Sequence, residues 1–279
     1  MADELVRNVS DTARWVATYR ARESQRKDAL FRDPLAARLA GERGRAIAKV
    51  ASWHSEWVLI TRTKLLDDYV NVAIAEGCDC ILNLAAGFDT RPYRLALPSD
   101  FRWVEADLPE LIAEKEALLA GETPRCRLER VGVDLADGAA RSTFLERYTA
   151  GYEKVTVITE GLVVYLEEAV VKELARDLLV HRAIHDWFLD FNSPRIRDDL
   201  LKRMGKTLAN APFKFGPKDG IAFFEKLGWK VRESRSLFHE AARLKRLPLW
   251  MRPFALLPQP NLRDLKNERW SGAVRLERP

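Results

Sequence analysis

The sequence predicts an α/β protein built on a seven-stranded, doubly wound sheet with a helical cap at its N-terminal end. Three observations carry this. Residues 10–76 place their apolar side chains at helical spacing. From Cys80 onward, short apolar runs alternate with helical stretches. The last two such runs are separated by proline-rich chain instead of a helix. With 279 residues, 47% of them hydrophobic and 31% charged, the chain has the make-up of a globular protein and not of a disordered one.

The elements follow in order. Trp57, Ile60, Thr61, Leu65, Tyr69 and Val70 mark one helix, and Asp33-Pro34 breaks the helical region before it, because proline lacks the N–H that a helix interior needs. Cys80–Leu84 is apolar enough for a buried strand and runs into the small-residue turn Ala85-Ala86-Gly87. Similar runs lie at 101–105, 128–133, 154–158 and 186–191, with helical patterns at 109–119, 139–148 and 167–184 between them. Right-handed crossovers between such strands put helices on both faces of a parallel sheet. Residues 229–235 and 270–276 read as two more strands. Pro248, Pro253, Pro258 and Pro260 between them oppose a long crossover helix, so the final pair is expected to be antiparallel.

Charge is unevenly spread. The whole chain carries a formal +5, yet residues 230–279 hold 12 Lys plus Arg against 5 Asp plus Glu. That basic stretch can face an acidic substrate, nucleic acid or water. It carries no zinc-finger or RRM-type pattern, so no nucleic-acid partner is expected. No run approaches about 18 apolar residues, and the start MADELVRN has no apolar stretch behind a basic one, so neither a membrane span nor a signal peptide is expected. Three cysteines cannot form a disulfide scaffold and fit a reducing, cytoplasmic setting.

Ligands of doubly wound sheets bind beyond the carboxyl ends of the strands, at the switch point. The turn after the first strand is therefore the place to look. A dinucleotide needs G-x-G-x-x-G so that pyrophosphate can approach the backbone, but Gly87 is the one glycine here and Asp89 puts a carboxylate where phosphate would lie. An acid twenty positions past Gly87 remains: Asp107, just beyond the second strand, can accept both hydroxyls of a ribose. A small-residue turn plus such an acid suits a nucleoside without pyrophosphate, of which S-adenosylmethionine (AdoMet) is the obvious example.

The run from Asn83 to Leu95, NLAAGFDTRPYRL, resembles the NLGAGxDTRxxRL signature of the leucine carboxyl methyltransferase family, whose bacterial branch holds AdoMet-dependent O-methyltransferases. Further pieces come in the family's order: Arg62-Thr63 with Asp67, Glu105-Ala106-Asp107-Leu108-Pro109, Val133-Asp134-Leu135, and Glu160 through Leu166. Arg20-Ala21 with Glu23 and then Asp33-Pro34 resemble the bacterial branch. The likeness covers about residues 8–192. It implies a class I methyltransferase, Rossmann-like fold as a single domain: a helical cap (1–76), an AdoMet-binding core (77–192), and a C-terminal part with a substrate lid and the last two strands (193–279). It also implies roles. Arg62 and Arg20 would hold the AdoMet carboxylate, Ala85 and Gly87 the turn beside its methionine part, and Asp107 the ribose. Asp134 and Leu135 would flank the adenine, and Glu160 would lie near the amino group. Ala85 stands where the signature has glycine, and its extra methyl group impairs close backbone approach. Other readings stay open: Arg62 can pair with Asp67 or Glu56 on a helix face, and Asp134 can cap the helix before Ala139. Glu160, after a buried strand, needs a partner in any case.

The resemblance implies an AdoMet-dependent O-methyltransferase acting on a carboxylate or hydroxyl of a small molecule, with S-adenosylhomocysteine as product. A polyketide or other secondary metabolite, anionic if the basic stretch borders the cleft, is a candidate acceptor. The alternatives are a protein C-terminal carboxyl methyltransferase and a nucleic-acid-binding protein. A carboxylate acceptor is already ionised at neutral pH, whereas a hydroxyl wants a base. No base stands out. His54 reads as a surface or core-edge residue. His181 and His185, spaced i, i+4 at a helix end, lack the Glu of H-E-x-x-H and a third ligand, and Cys78, Cys80 and Cys126 make a poor zinc set. No metal is expected. Tyr165 can touch the acceptor or simply pack, and Trp53, Trp57, Phe213, Phe215, Trp250 and Phe254 are candidate pocket walls.

Overall fold

The computed structural model describes residues 9–50, 56–204 and 211–279. Three helices come first: α1 (Val9–Ser24), α2 (Ala36–Val50) and α3 (Glu56–Ala75). The expected break at Asp33-Pro34 is there, and the Asp33 Oδ1 accepts the Leu35 N–H at 3.2 Å in the turn that starts α2. Within α2 the chain bends at Gly41, whose φ of 57° and ψ of −168° are not helical. Just beyond the bend, Gly44 lets α2 lie directly on α1: a Cβ there would sit 2.5 Å from the Arg14 carbonyl oxygen and 2.9 Å from Thr18 Oγ1.

The sheet has the seven expected strands: β1 (Cys80–Leu84), β2 (Arg102–Asp107), β3 (Arg127–Gly132), β4 (Val155–Thr159), β5 (Ile184–Asn192), β6 (Lys230–Ser236) and β7 (Ser271–Glu277). Their spatial order is β3-β2-β1-β4-β5-β7-β6, parallel through β5, with β7 antiparallel to both of its neighbours. Between the strands run α4 (Arg91–Arg94), α5 (Pro109–Leu118), α6 (Gly138–Thr149) and α7 (Glu168–Val180). After β5 come α8 (Pro194–Met204) and α9 (Ala222–Glu225), and the stretch between β6 and β7 holds only α10 (Leu237–Arg243) and a 3-10 segment, Leu249–Leu256. The prolines therefore exclude a long crossover helix, as expected.

Both faces of the sheet are covered, which is why β1, β4 and β5 are mostly apolar and buried nearly throughout. Leu82, Leu84, Val104, Trp187 and Leu189 face Phe144, Leu174, Phe224 and Trp229 on one side. Ile81, Trp103, Ile158 and Phe188 face Leu65, Tyr69 and Val70 of α3 on the other. One boundary differs from the sequence reading. The helix predicted over 167–184 stops at Val180, and Ile184 opens β5. Ile184 falls at helical spacing from Val180 but is the first buried residue of a strand. His181 therefore caps α7 while His185 points outward from β5, so the two do not share a helix face.

The basic C-terminal stretch closes on the acids of the rest of the chain. Arg246 pairs with Glu23 at 2.7 Å and Asp28 at 3.1 Å, and Arg275 pairs with Asp186 at 2.9 Å and also with Glu76. Arg232 reaches Glu76 at 2.6 Å, Arg263 reaches Glu225 at 2.6 Å, and Arg269 reaches Asp199 at 2.9 Å. No helix among the described residues is long and apolar enough to cross a membrane.

The α1–α2 contact gives a direct check. Gly44→Ala forces a methyl group against backbone that cannot swing aside, and should lower unfolding stability by about 2 kcal/mol, read as a fall in the denaturant midpoint. An unchanged midpoint would mean that the two helices separate at no cost.

Candidate active site

The carboxyl ends of β1, β2, β4 and β5 open into one cavity of about 860 Å³. The cap contributes Thr12, Val16 and Arg20 from α1 and Trp57, Val58 and Arg62 from α3, while Met251, Phe254 and Leu257 close it from the C-terminal side. All eight residues singled out in the sequence line it: Arg20, Arg62, Ala85, Gly87, Asp107, Asp134, Leu135 and Glu160.

The turn after β1 is built on two left-handed residues, Ala85 at φ 54° and Gly87 at φ 47°. This corrects the cost expected of Ala85. It lies in the backbone, because an L-residue in that region gives up about 1 kcal/mol relative to glycine. The Gly87 N–H donates to Asp107 Oδ2 at 2.7 Å and the Leu108 N–H to Asp107 Oδ1 at 2.8 Å. Asp107 thus ties the turn to the end of β2. Burial lifts its carboxyl above the ordinary range, and the two N–H groups offset this only in part. Each of its oxygens keeps a further accepting position.

At the other wall sits a buried ion-pair cluster. Arg62 Nε donates to Glu160 Oε1 at 3.0 Å and its Nη1 to Asp190 Oδ2 at 3.1 Å. Arg91 Nη1 meets Glu160 Oε2 at 2.8 Å and Asp89 Oδ2 at 2.7 Å, its Nε donates to Asp67 Oδ1 at 2.7 Å, and its Nη2 to the Thr63 carbonyl at 3.3 Å. Burial alone would raise the Glu160 carboxyl, but Arg91 and Arg62 outweigh it and hold it below its ordinary value. Asp89 is likewise held down by Arg91 and then Arg94 against its burial. Asp190 goes the other way: burial raises it more than Arg62 and the Gly161 N–H lower it.

Two of the open readings are now decided. Arg62 is not taken up by Asp67 or Glu56, since Asp67 binds Arg91 and Arg94, and Glu56 meets Arg22 at 3.3 Å. Asp134 is not the cap of α6. Asp137 is, accepting from the Ala139 and Ala140 N–H groups, while the exposed Asp134 accepts the Ala136 N–H at 2.9 Å. Arg20 braces the turn from the cap, with Nε on Asp33 Oδ2 at 2.8 Å and Nη2 on the Phe88 carbonyl at 2.5 Å. Leu135 is half-buried, and its carbonyl accepts from Arg141 at 2.8 Å.

Sequence reasoning passed over Arg91 and Asp190. Arg91 was present in the quoted signature, and Asp190 is an acid near the end of a buried strand, the same signal that singled out Glu160. Of the candidate walls, Trp57, Phe213 and Phe254 line the cavity, together with Tyr165, whose ring packs on Phe213 with centroids 5.2 Å apart. Phe215 belongs to the core and Trp250 is exposed outside the lining. Trp53 and His54 lie outside the described residues. Cys78, Cys80 and Cys126 are free and buried, and the described residues contain no group of three or more His, Cys, Asp or Glu able to hold a metal.

The leucine carboxyl methyltransferase family matches this chain over residues 13–178. A protein of Frankia alni, provisionally named an S-adenosyl-L-methionine-dependent methyltransferase, is 36% identical over 180 residues, which cover 61% of this chain and 64% of that one. A Streptomyces coelicolor protein of the same name is 36% identical over 178 residues, covering 59% and 62%. The matched part of the chain thus spans somewhat under two thirds of these relatives' length. A solved DUF574 family protein from Streptomyces avermitilis superposes with a TM-score of 0.61 at 16% identity, covering 94% of this chain and 97% of its own. A Thermobifida fusca protein provisionally named a methyltransferase superposes with a TM-score of 0.58 at 14% identity, covering 99% and 97%. At such identity the likeness is one of fold, and the fold is the class I methyltransferase fold expected from the sequence.

Two outcomes follow from this geometry. Ala85→Gly relieves the left-handed alanine and should raise unfolding stability by about 0.5–1 kcal/mol, the gain being reduced by the freer unfolded chain; a lower denaturant midpoint would contradict it. Glu160→Gln leaves two buried guanidinium groups short of a carboxylate and should cost roughly 3 kcal/mol at neutral pH. Because the folded Glu160 carboxyl is depressed, its contribution is present above the ordinary glutamate value of about 4.3 and is lost as pH falls through the depressed value. Melting temperatures of the two proteins should therefore differ at pH 7 and converge in acid; a gap that widens toward low pH would refute the assignment.

Proposed function

The chain belongs to the leucine carboxyl methyltransferase family, and on that premise we propose that it is an S-adenosyl-L-methionine-dependent O-methyltransferase acting on a carboxylate or hydroxyl of a small molecule. The observation that carries this reading is that one cavity gathers Arg20, Arg62, Ala85, Gly87, Asp107, Asp134, Leu135 and Glu160 from both the cap and the sheet. Its volume, about 860 Å³, lies within the range of small-molecule sites.

The donor set fits the proposed cofactor. In the buried cluster Arg62, Arg91 and Arg94 stand against Asp67, Asp89, Glu160 and Asp190, one carboxylate in excess. Asp107 makes no ion pair among the described residues. A ligand with an ammonium and a sulfonium against one carboxylate brings the positive charge that such a site lacks. Asp107 would accept the ribose hydroxyls with its remaining positions, and Asp134 the adenine amine, with Leu135 against the ring. Glu160 would face the ammonium group. Arg62 would hold the carboxylate through its Nη2, with Arg20 beside it. When bound, the cofactor supplies a methyl group on a sulfonium and leaves as S-adenosylhomocysteine. The protein's part is to orient the acceptor oxygen and exclude water. The single-domain reading of 1–279 and a cytoplasmic location belong to the same proposal. The three free, buried cysteines support the latter.

Calorimetric titration tests this reading. S-adenosyl-L-methionine and S-adenosylhomocysteine should both give saturable heat, and NAD none. Asp107→Ala should weaken S-adenosylhomocysteine roughly 10- to 100-fold, as expected for hydrogen bonds to a charged group. Undiminished affinity in that variant would remove Asp107 from the ribose role, and no heat from the wild-type protein would overturn the cofactor assignment.

A further inference from the structure

Besides the residues proposed for the cofactor, the cavity is lined by residues that follow β4 and β5 and by the C-terminal part of the chain. This part of the lining includes the apolar side chains of Trp57, Ile196, Leu200, Phe213, Phe238 and Phe254. Asp190, near the end of β5 and 7% exposed, is part of the same lining. The Asp190 Oδ1 accepts the Gly161 N–H at 2.6 Å and its Oδ2 accepts from Arg62 at 3.1 Å. A carboxylate oxygen has two accepting positions, so each keeps one.

We propose that the methyl acceptor is an uncharged, largely apolar molecule bearing a hydroxyl group, and that Asp190 is the residue that accepts the hydrogen bond of that hydroxyl. This rests on the methyltransferase reading above and narrows its acceptor. The charges around Asp190 decide it. Arg62 is shared between Glu160 and Asp190, and Arg91 between Asp67, Asp89 and Glu160. The one net positive charge of a bound S-adenosylmethionine only balances the cluster, so an acceptor carboxylate would be an anion in excess, with Glu160 and Asp190 beside it. Among the described residues, Arg203 and Arg269 of the lining are exposed, and Arg269 is held by Asp199 at 2.9 Å. A hydroxyl brings no charge, donates where Asp190 accepts, and leaves the rest of its molecule to the aromatic and aliphatic walls. It also has to shed a proton, and burial makes Asp190 a stronger base than a free aspartate, Arg62 notwithstanding.

Two probes with one ring system separate charge from shape. At pH 7, 1-naphthol is neutral, phenols titrating near about 10, while 1-naphthoate is an anion, carboxylic acids titrating near about 4. Each is titrated into the protein alone and into the protein saturated with S-adenosylhomocysteine. The expected result is that 1-naphthol binds at least about tenfold more tightly than 1-naphthoate. Asp190→Asn should then narrow that ratio at least about threefold, because it removes the charge that repels the anion. Equal or tighter binding of 1-naphthoate to the wild-type protein, binding of neither probe at millimolar concentration, or an unchanged ratio in a folded Asp190→Asn protein overturns the proposal. The wild-type comparison holds even where the variant does not fold. Failure of S-adenosylhomocysteine to bind, with the preference for 1-naphthol intact, would overturn the cofactor reading instead.

Discussion

A guanidinium group cannot be taken out of water unless acids and carbonyls replace its hydration on every side, and Arg91 is almost wholly buried. That requirement organises the molecule. Its partners come from α3 (Asp67 and the Thr63 carbonyl), from its own turn (Asp89) and from the chain just past β4 (Glu160). The cap, the first turn and the switch point of the sheet are thus pinned to one cation. Glu160 passes the constraint on to Arg62, and Arg62 to Asp190 at the end of β5. Breaking one member strands its neighbours, so the cluster behaves as a unit and gives the cavity a fixed electrostatic floor.

Most of the sheet was legible in the chain because both of its faces are buried, which forces apolar runs at β1, β4 and β5. Even the edge strand β6, mixed in composition, stood out against the prolines that follow it. The helix end at Val180 was misjudged because Ile184 satisfies helical and strand spacing alike, and only pairing with β4 and β7 decides between them. In the site, the turn and Asp107 were visible because they are local: a small-residue turn and an acid after a strand. The role of Arg91 was not, although the quoted signature contains it, because nothing near it in the sequence indicates that its partners lie in α3 and after β4. The strain at Ala85 was equally hidden, since φ is a property of the folded turn.

The uneven charge takes a different meaning once folded. The arginines after residue 230 do not gather into a basic face directed at the cavity. Arg246 and Arg275 are buried pairs to Glu23 and Asp186, Arg232 answers Glu76 just past α3, and Arg263 answers Glu225 of α9. The stretch reads best as the counter-ion of the first 229 residues, stitching the last strands and the short α10 onto the cap and the sheet. Most of the stretch's charge is thus spent on internal pairs, and the acceptor is to be judged from the cavity wall.

The position of β7 carries a consequence for how the protein is made. It is the last strand in sequence, yet it lies between β5 and β6. While the ribosome is still adding residues 193–270, β5 has one edge unpaired and β6 has no neighbour at all. Nascent chains in that condition expose a hydrogen-bonding edge to their surroundings. Ser271–Glu277 fills the gap between β5 and β6 and brings Arg275 to Asp186. Whatever order the earlier strands adopt, β6 therefore joins the sheet only through β7.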